Sequence, residues 1–465
     1  MSRSAQTGFD WITVSLYISF LLIGWLMLYA ADHVNLGELS PFSFSTLIGK
    51  HSLWIGVSFI VFILALVIDW RFWYTFAMPI YGITLILLLG VLLFGTEIKG
   101  ATSWYSFSGF SVQPSEIAKF GTCLALANFL SFFDSNISER KTFYIALLLM
   151  AAPMVLILLQ PDAGSALVFL SFFLLFYRVG LNSIYYVIGF ALIAVFTLSL
   201  IYSPKLVTLL VFFIGQFILV MRYPKQLYAI AAMVLWVILC AVLYNSGYSL
   251  NVLLANMVVA VALLVVHFIR EDQKLVVVLF PFMLLAMGLS YGSKLAFDHV
   301  LEPHQQERIN VWLRPDICDP HGSLYNVLQS KRAIGSGGIQ GTGFLKGNMT
   351  RLKYVPEQTT DFIFSLVGEE QGFIGVASII AMFVFLLLRM SIIAERAKNK
   401  FIQNYAYGVV GIFFIHFFVN VGMSMGFMPV IGIPLPFLSK GGSALMVFSL
   451  MIGVLLKMDL ARQSR

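Results

Sequence analysis

Residues able to do chemistry cluster in four stretches of this chain. In VPEQTTDFIFSLVGEEQG (355–372), Glu357 and Asp361 stand at the brink of an apolar segment, and Glu369 and Glu370 follow inside it. Thr359, Thr360 or Asp361 would serve as the N-cap of a helix starting there. Capping leaves the other acids unexplained, and ionisable groups at membrane depth are costly enough to count as functional by default. A carboxylate in a partly apolar vestibule is a candidate general base, because desolvation raises its proton affinity. A helix N-terminus opposes that shift.

In QPSEIAKF (113–120), Pro114 and Ser115 mark a helix start with Ser115 as cap, and Glu116 and Lys119 share a face. An exposed pair of this kind contributes little. Lys119, however, points into an otherwise apolar helix and must face protein or water, which predicts a cavity. In QPDAGSALVF (160–169), Asp162 reads from spacing as a helix cap. In MPVIGIPLPFLSKGGSAL (428–445), three prolines and the Gly441-Gly442 pair predict a rigid turn, with Lys440 able to meet an anionic headgroup or phosphate. His299, His304 and His321 fit no zinc spacing, and no Walker A run or nucleophile elbow is present.

The elements that must position these residues are membrane helices. The 465 residues are 60% hydrophobic and 11% charged, with a mean hydropathy of +0.90. Globular chains carry roughly a quarter charged residues, so this is a polytopic membrane protein. The net charge of +7 sits in short loops and reads as topology, with no nucleic acid partner. Cys123, Cys240 and Cys318 imply no disulfide framework.

Apolar stretches predict about fourteen spans of roughly 17–25 residues, the first of them retained as a helix. They lie near 10–31, 51–68, 72–95, 114–132, 142–160, 163–177, 183–203, 205–221, 225–245, 250–269, 275–298, 362–388, 404–428 and 440–457. Placing the basic residues Arg71, Arg140, Lys141, Arg178, Arg389 and Lys457 inside puts both termini in the cytoplasm. The long loop 299–361, with its glycine-rich SKRAIGSGGIQGTGFLKG, then faces outside. Such a run supplies turns and close backbone approach. An outward site with acids and bases at the bilayer edge suits a lipid-linked substrate. A flippase or other transporter fits almost as well, although no pair of corresponding broken helices stands out. A non-catalytic scaffold is the third reading.

QPSEIAKF, QPDAGSALVF, YNVLQSKRAIGSGGIQGTGF followed by VPEQTTDFIFSLVGEEQGF, and GIPLPFLSKGGSAL together resemble the SEDS family, in this order, over about residues 10–200 and 299–457. GFLKGNMTRLKYVPEQ is more similar to the elongation-type, RodA-like branch than to the division-type, FtsW-like branch. The resemblance implies an all-α GT-C-like membrane fold and a peptidoglycan glycosyltransferase that polymerises lipid II at the outer face of the bacterial cytoplasmic membrane. Undecaprenyl pyrophosphate leaves with inversion. A class B penicillin-binding protein, membrane lipids and a divalent cation, Mg2+ or Mn2+, are the implied partners. By the same resemblance Asp361 is the catalytic base on the acceptor sugar. Glu116 and Lys119 form a cavity pair, with Lys119 offsetting pyrophosphate charge. Asp162, Glu357, Gln329, Ser330, Lys331, Trp104 and Lys440 line the substrate site, and Asp361 and Glu116 are the candidate metal ligands.

Three departures stand out. Thr359 occupies a place where the family usually has His, and Ser103 precedes Trp104 where it often has Arg. The family is also expected to have ten spans, so 201–298 reads as about four extra helices inserted between core segments 1–200 and 362–465, ahead of the loop 299–361.

Overall fold

The computed structural model describes residues 8–36, 42–44, 46–98, 100–107, 110–132, 137–222, 226–270, 273–301 and 303–461. The basic loop and terminal residues Lys99, Lys225, Arg462 and Arg465 lie outside the described residues. The chain forms two compact units: Met1–Leu181 with Cys318–Arg465, and Asn182–Ile317.

The first unit opens with α1 (Trp11–Leu36), α2 (Leu47–Val67), a short α3 (Trp70–Thr75) and α4 (Ala77–Phe94). The chain is mostly helical, as expected, but one small sheet departs from the all-α expectation. Strands β1 (Thr96–Ile98), β2 (Ala101–Phe107) and β3 (Phe110–Val112) form an antiparallel sheet in that order. Thr, Ile, Trp, Tyr and Phe suit a pleated surface, and Gly100, at φ 82°, makes the turn between β1 and β2. Then follow α5 (Pro114–Phe132), α6 (Arg140–Leu158), α7 (Ala163–Val168) and α8 (Phe172–Val179).

The second unit holds α9 (Ser183–Ile201), α10 (Pro204–Val220), α11 (Gln226–Asn245), α12 (Ser249–Ile269), α13 (Gln273–His299) and α14 (Pro303–Leu313). It contains the 201–298 stretch and extends past it at both ends. Val207, Phe212, Leu219, Leu264 and Met283 pack its core. Polar knots tie its helices, as membrane helices often are tied. Gln216 Nε2 and Trp236 Nε1 both donate to Asn256 Oδ1, at 2.8 and 3.1 Å.

The first unit resumes with α15 (Ser323–Ser336), α16 (Asn348–Arg351), α17 (Ile363–Arg396), α18 (Lys400–Ser424) and α19 (Gly442–Leu460). The predicted long loop is therefore about half helical, and its two parts fall in different units.

Eleven helices among the described residues are long and apolar enough to cross a membrane. The other three predicted spans are also helical. Ala163–Val179 and Pro204–Val220 are shorter apolar helices, and α5 carries Glu116 and Lys119.

Glycines set how closely the first unit's helices approach. Gly408 of α18 meets Cys123 of α5, where a Cβ would come within 2.6 Å of Sγ, and Gly453 of α19 meets Ala65 of α2, where it would come within 2.8 Å of Cβ. Small residues at such crossings replace the hydrophobic drive that lipid removes. At one end of this unit Asp10, at the start of α1, accepts from Arg389 Nε at 3.0 Å and Arg396 at 3.3 Å, and Arg396 Nε donates to Asp459 near the end of α19 at 2.9 Å.

One break matters for the site. Gly372, at φ 62° and ψ −160°, interrupts α17. Breaking a helix at membrane depth frees backbone groups that need new partners. The glycine run supplies them. Phe373 and Ile374 N–H donate to the Gly338 and Ile339 carbonyls at 2.9 and 3.2 Å. Thr342 and Gly343 N–H donate to the Glu369 and Glu370 carbonyls at 2.9 and 3.0 Å. At Gly341 a Cβ would collide with the Glu370 carbonyl.

Candidate functional site

Glu357 sits at φ 55°, and its carbonyl collects the N–H groups of Thr360, Asp361 and Phe362 at 3.1–3.3 Å. This tight turn ends at Phe362, which occupies the N-cap position of α17 without a side-chain cap bond. The capping role predicted for Thr359, Thr360 or Asp361 is thus not what these residues do. The half-buried Asp361 carboxylate instead lies beside Gly432, where an added Cβ would stand 3.6 Å from Oδ2.

The other acids of the stretch have structural partners. Glu369 is 1% exposed and accepts from Met349 N, Thr350 N and Thr350 Oγ1 at 2.7, 2.8 and 2.6 Å. Its carboxylate thereby holds the first turn of α16, where helix N–H groups otherwise lack acceptors. Glu370 is buried beside it and accepts from the Leu345 N–H.

The proline-rich turn between α18 and α19 is the hub. Asn420 Nδ2 donates to the carbonyls of Asp361 and Ile433, at 3.0 and 2.8 Å. One helical turn earlier, His416 Nδ1 lies 3.0 Å from the Pro434 carbonyl. That contact requires a proton on Nδ1, so Nε2 is the acceptor for Lys119 Nζ at 2.9 Å. Lys119 Nζ also pairs with Glu116 Oε2 at 2.7 Å. Glu116, Lys119 and His416 are all nearly inaccessible. The pair is therefore joined to Asp361 by a continuous chain: Lys119 to His416 and Pro434, then Ile433 to Asn420 and Asp361.

Ser115 lies inside α5 rather than at its cap, and its hydroxyl meets Ser165 Oγ at 3.2 Å. Asp162 does cap α7, accepting from Ser165 N at 2.9 Å, and its second oxygen receives Gln113 Nε2 at 2.8 Å. Gly164, just beyond, abuts the Ile431 carbonyl, so this cluster flanks the same turn. Ser330 donates to the Ser424 carbonyl at 2.8 Å, and Lys331 lies along Gly426. The buried Gln329 and exposed Lys331 thus ride on a helix docked where α18 ends. Lys440 is exposed, and its N–H donates to the Thr359 carbonyl at 2.7 Å. Trp104 is half-buried in the sheet, paired with Thr96.

His416, Asn420 and Gln113 were missed in the sequence. Their signal was available: His416 and Asn420 are polar residues four apart in an apolar span, which places both on one face.

Among the described residues, no three of His, Cys, Asp and Glu gather as a metal cage. The Lys119 ammonium sits where a cation on Glu116 would be. Asp361, half-exposed, suits a cation shared with substrate phosphates, a common manner of holding Mg2+.

A many-helix membrane protein with a buried cation behind a proline-rich turn and a carboxylate in front of it has known relatives. The chain belongs to the FtsW/RodA/SpoVE family of cell cycle proteins, which matches residues 10–225 and 202–464. It is 30% identical over 460 residues to the peptidoglycan glycosyltransferase RodA of Treponema pallidum (strain Nichols), covering 98% of each chain. It is 28% identical over 409 residues to the peptidoglycan glycosyltransferase MrdB of Escherichia coli (strain K12), covering 88% of this chain and 84% of that one. Its fold is similar to a chain from the structure of a peptidoglycan synthase complex that coordinates polymerization and crosslinking, with a TM-score of 0.62 at 24% identity and 98% of each chain covered. It is also similar to the rod shape determining protein RodA of Thermus thermophilus, with a TM-score of 0.56 at 22% identity and 98% of each chain covered.

Proposed function

We propose that this protein is a peptidoglycan glycosyltransferase of the elongation type, polymerising lipid II at the outer face of the bacterial cytoplasmic membrane. The observation that carries this reading is the placement of Asp361. Its backbone is held by Asn420, it caps no helix, and its carboxylate lies against a glycine backbone at the mouth of the turn. The RodA and MrdB relatives support the reaction class, and GFLKGNMTRLKYVPEQ supports the elongation type.

Asp361 takes the proton from the acceptor sugar hydroxyl as that oxygen attacks the anomeric carbon, and undecaprenyl pyrophosphate leaves with inversion. The Lys119–Glu116–His416 cluster holds the turn behind Asp361 rather than touching the substrate. A bound Mg2+ or Mn2+ would be held by Asp361 with substrate phosphates and would neutralise charge on the leaving group. Asp162, Gln329, Ser330, Lys331, Glu357 and Trp104 shape the surround. About fourteen spans follow from the apolar stretches and cytoplasmic termini from the basic loops, and the joining of Asp10, Arg389, Arg396 and Asp459 supports placing both termini on one side. A class B penicillin-binding protein would supply crosslinking, in keeping with the synthase complex whose fold is similar.

The test is conversion of purified lipid II, with the partner and divalent cation present. SDS-resistant glycan strands are expected. Lipid II translocation in liposomes with no polymer formed would favour the flippase reading instead.

A further inference from the structure

The sequence SKGGSAL (439–445) places a cation and two glycines where α19 begins. Gly441 stands at the N-cap position and has no side chain with which to cap. The N–H groups of Gly442, Ser443 and Ala444 find no acceptor among the described residues. An uncapped first turn with the positive end of the helix dipole suits an anion. Ser443 is not turned to this task, since its hydroxyl accepts from Gln113 N at 3.4 Å.

A second observation points to the same place. His51 of α2 is 3% exposed, and its Nε2 finds no hydrogen-bond partner. Leaving a buried polar atom unmet costs about 1–3 kcal/mol. Trp54, one turn along α2, lies on Gly442, where a Cβ would run into the indole. The His51 face of α2 is therefore turned to the first turn of α19, and the charge of Lys440 acts on the imidazole. The Lys440 N–H is bonded to Thr359, two residues before Asp361. Lys119, which the family resemblance would set against pyrophosphate charge, is instead enclosed by Glu116 and His416.

We infer that Lys440, His51 and the first-turn N–H groups of α19 form a subsite for the phosphate groups of a polyprenyl pyrophosphate, beside the Asp361 carboxylate. The inference rests on reading the chain as a polymerase and adds where the leaving group is received. Lys440 supplies charge, the helix N–H groups meet phosphate oxygens, and His51 donates from Nε2.

The experiment is equilibrium binding of fluorescent farnesyl pyrophosphate to the purified full chain in detergent with EDTA, read without turnover. Lys440→Gln and His51→Ala are each expected to weaken binding about tenfold, in line with loss of one charge-assisted hydrogen bond, and Lys440→Arg to restore most of it. Displacement of the probe by inorganic pyrophosphate supports recognition of the phosphates. Displacement by farnesol as effective as by farnesyl pyrophosphate, or wild-type affinity in both variants with an unchanged Tm, would overturn the subsite. Intact, variant-sensitive binding in a wild-type protein that makes no polymer would count against the polymerase reading alone.

Discussion

The Asn420 side-chain amide donates to the main-chain carbonyl of Asp361 at 3.0 Å. The same nitrogen reaches the Ile433 carbonyl at 2.8 Å, so one buried residue of α18 fixes both the acid and the turn it faces. Asn420→Ala would leave two carbonyls without their donor, at about 1–3 kcal/mol for an unmet buried group. The polymerisation rate should fall at least tenfold while Tm falls by only a few degrees. Unaltered turnover would remove Asn420 from the positioning of Asp361.

Glu116 and Lys119 test a different idea, that the buried pair is structural support. Removing one partner strands a charge and costs about 3–5 kcal/mol, whereas replacing both by apolar residues can be nearly neutral. Glu116→Leu and Lys119→Met should each lower thermal stability sharply, and the double variant should recover much of the loss. A double-mutant cycle measures this, and additive losses would contradict it.

Glu369 should govern the glycine-rich segment without touching chemistry. With Glu369→Ala, Met349 and Thr350 lose their carboxylate acceptor, and residues 337–354 should become cleavable in limited proteolysis. Glu369→Gln retains acceptor capacity on one oxygen and should give an intermediate rate. Equal protection in all three proteins would show that the helix break holds the segment unaided.

The helices were legible in the sequence because lipid leaves an apolar run no other way to satisfy its backbone, and every predicted span is helical. Asp361 and the Glu116–Lys119 pair were legible as charges in costly places. The sheet was not, because TEIKGATSWYSFSGFSV is short and lies between long apolar runs. The glycine run was legible as a source of turns and close backbone approach, but not its target, the broken α17 whose backbone it completes. That partnership joins residues about thirty apart and leaves no local periodicity. Glu369 stood out only as an acid that capping leaves unexplained, because its partners, two backbone N–H groups and the Thr350 hydroxyl, are not marked by local sequence.

The central claim is tested most directly by gel analysis of glycan strands made from purified lipid II by the Asp361→Asn protein, with the proposed penicillin-binding partner present. Asparagine keeps the shape and the backbone bond to Asn420 but cannot accept the proton. No strands above background, from a protein with wild-type Tm, is the predicted result. Strands of wild-type length and yield would contradict it.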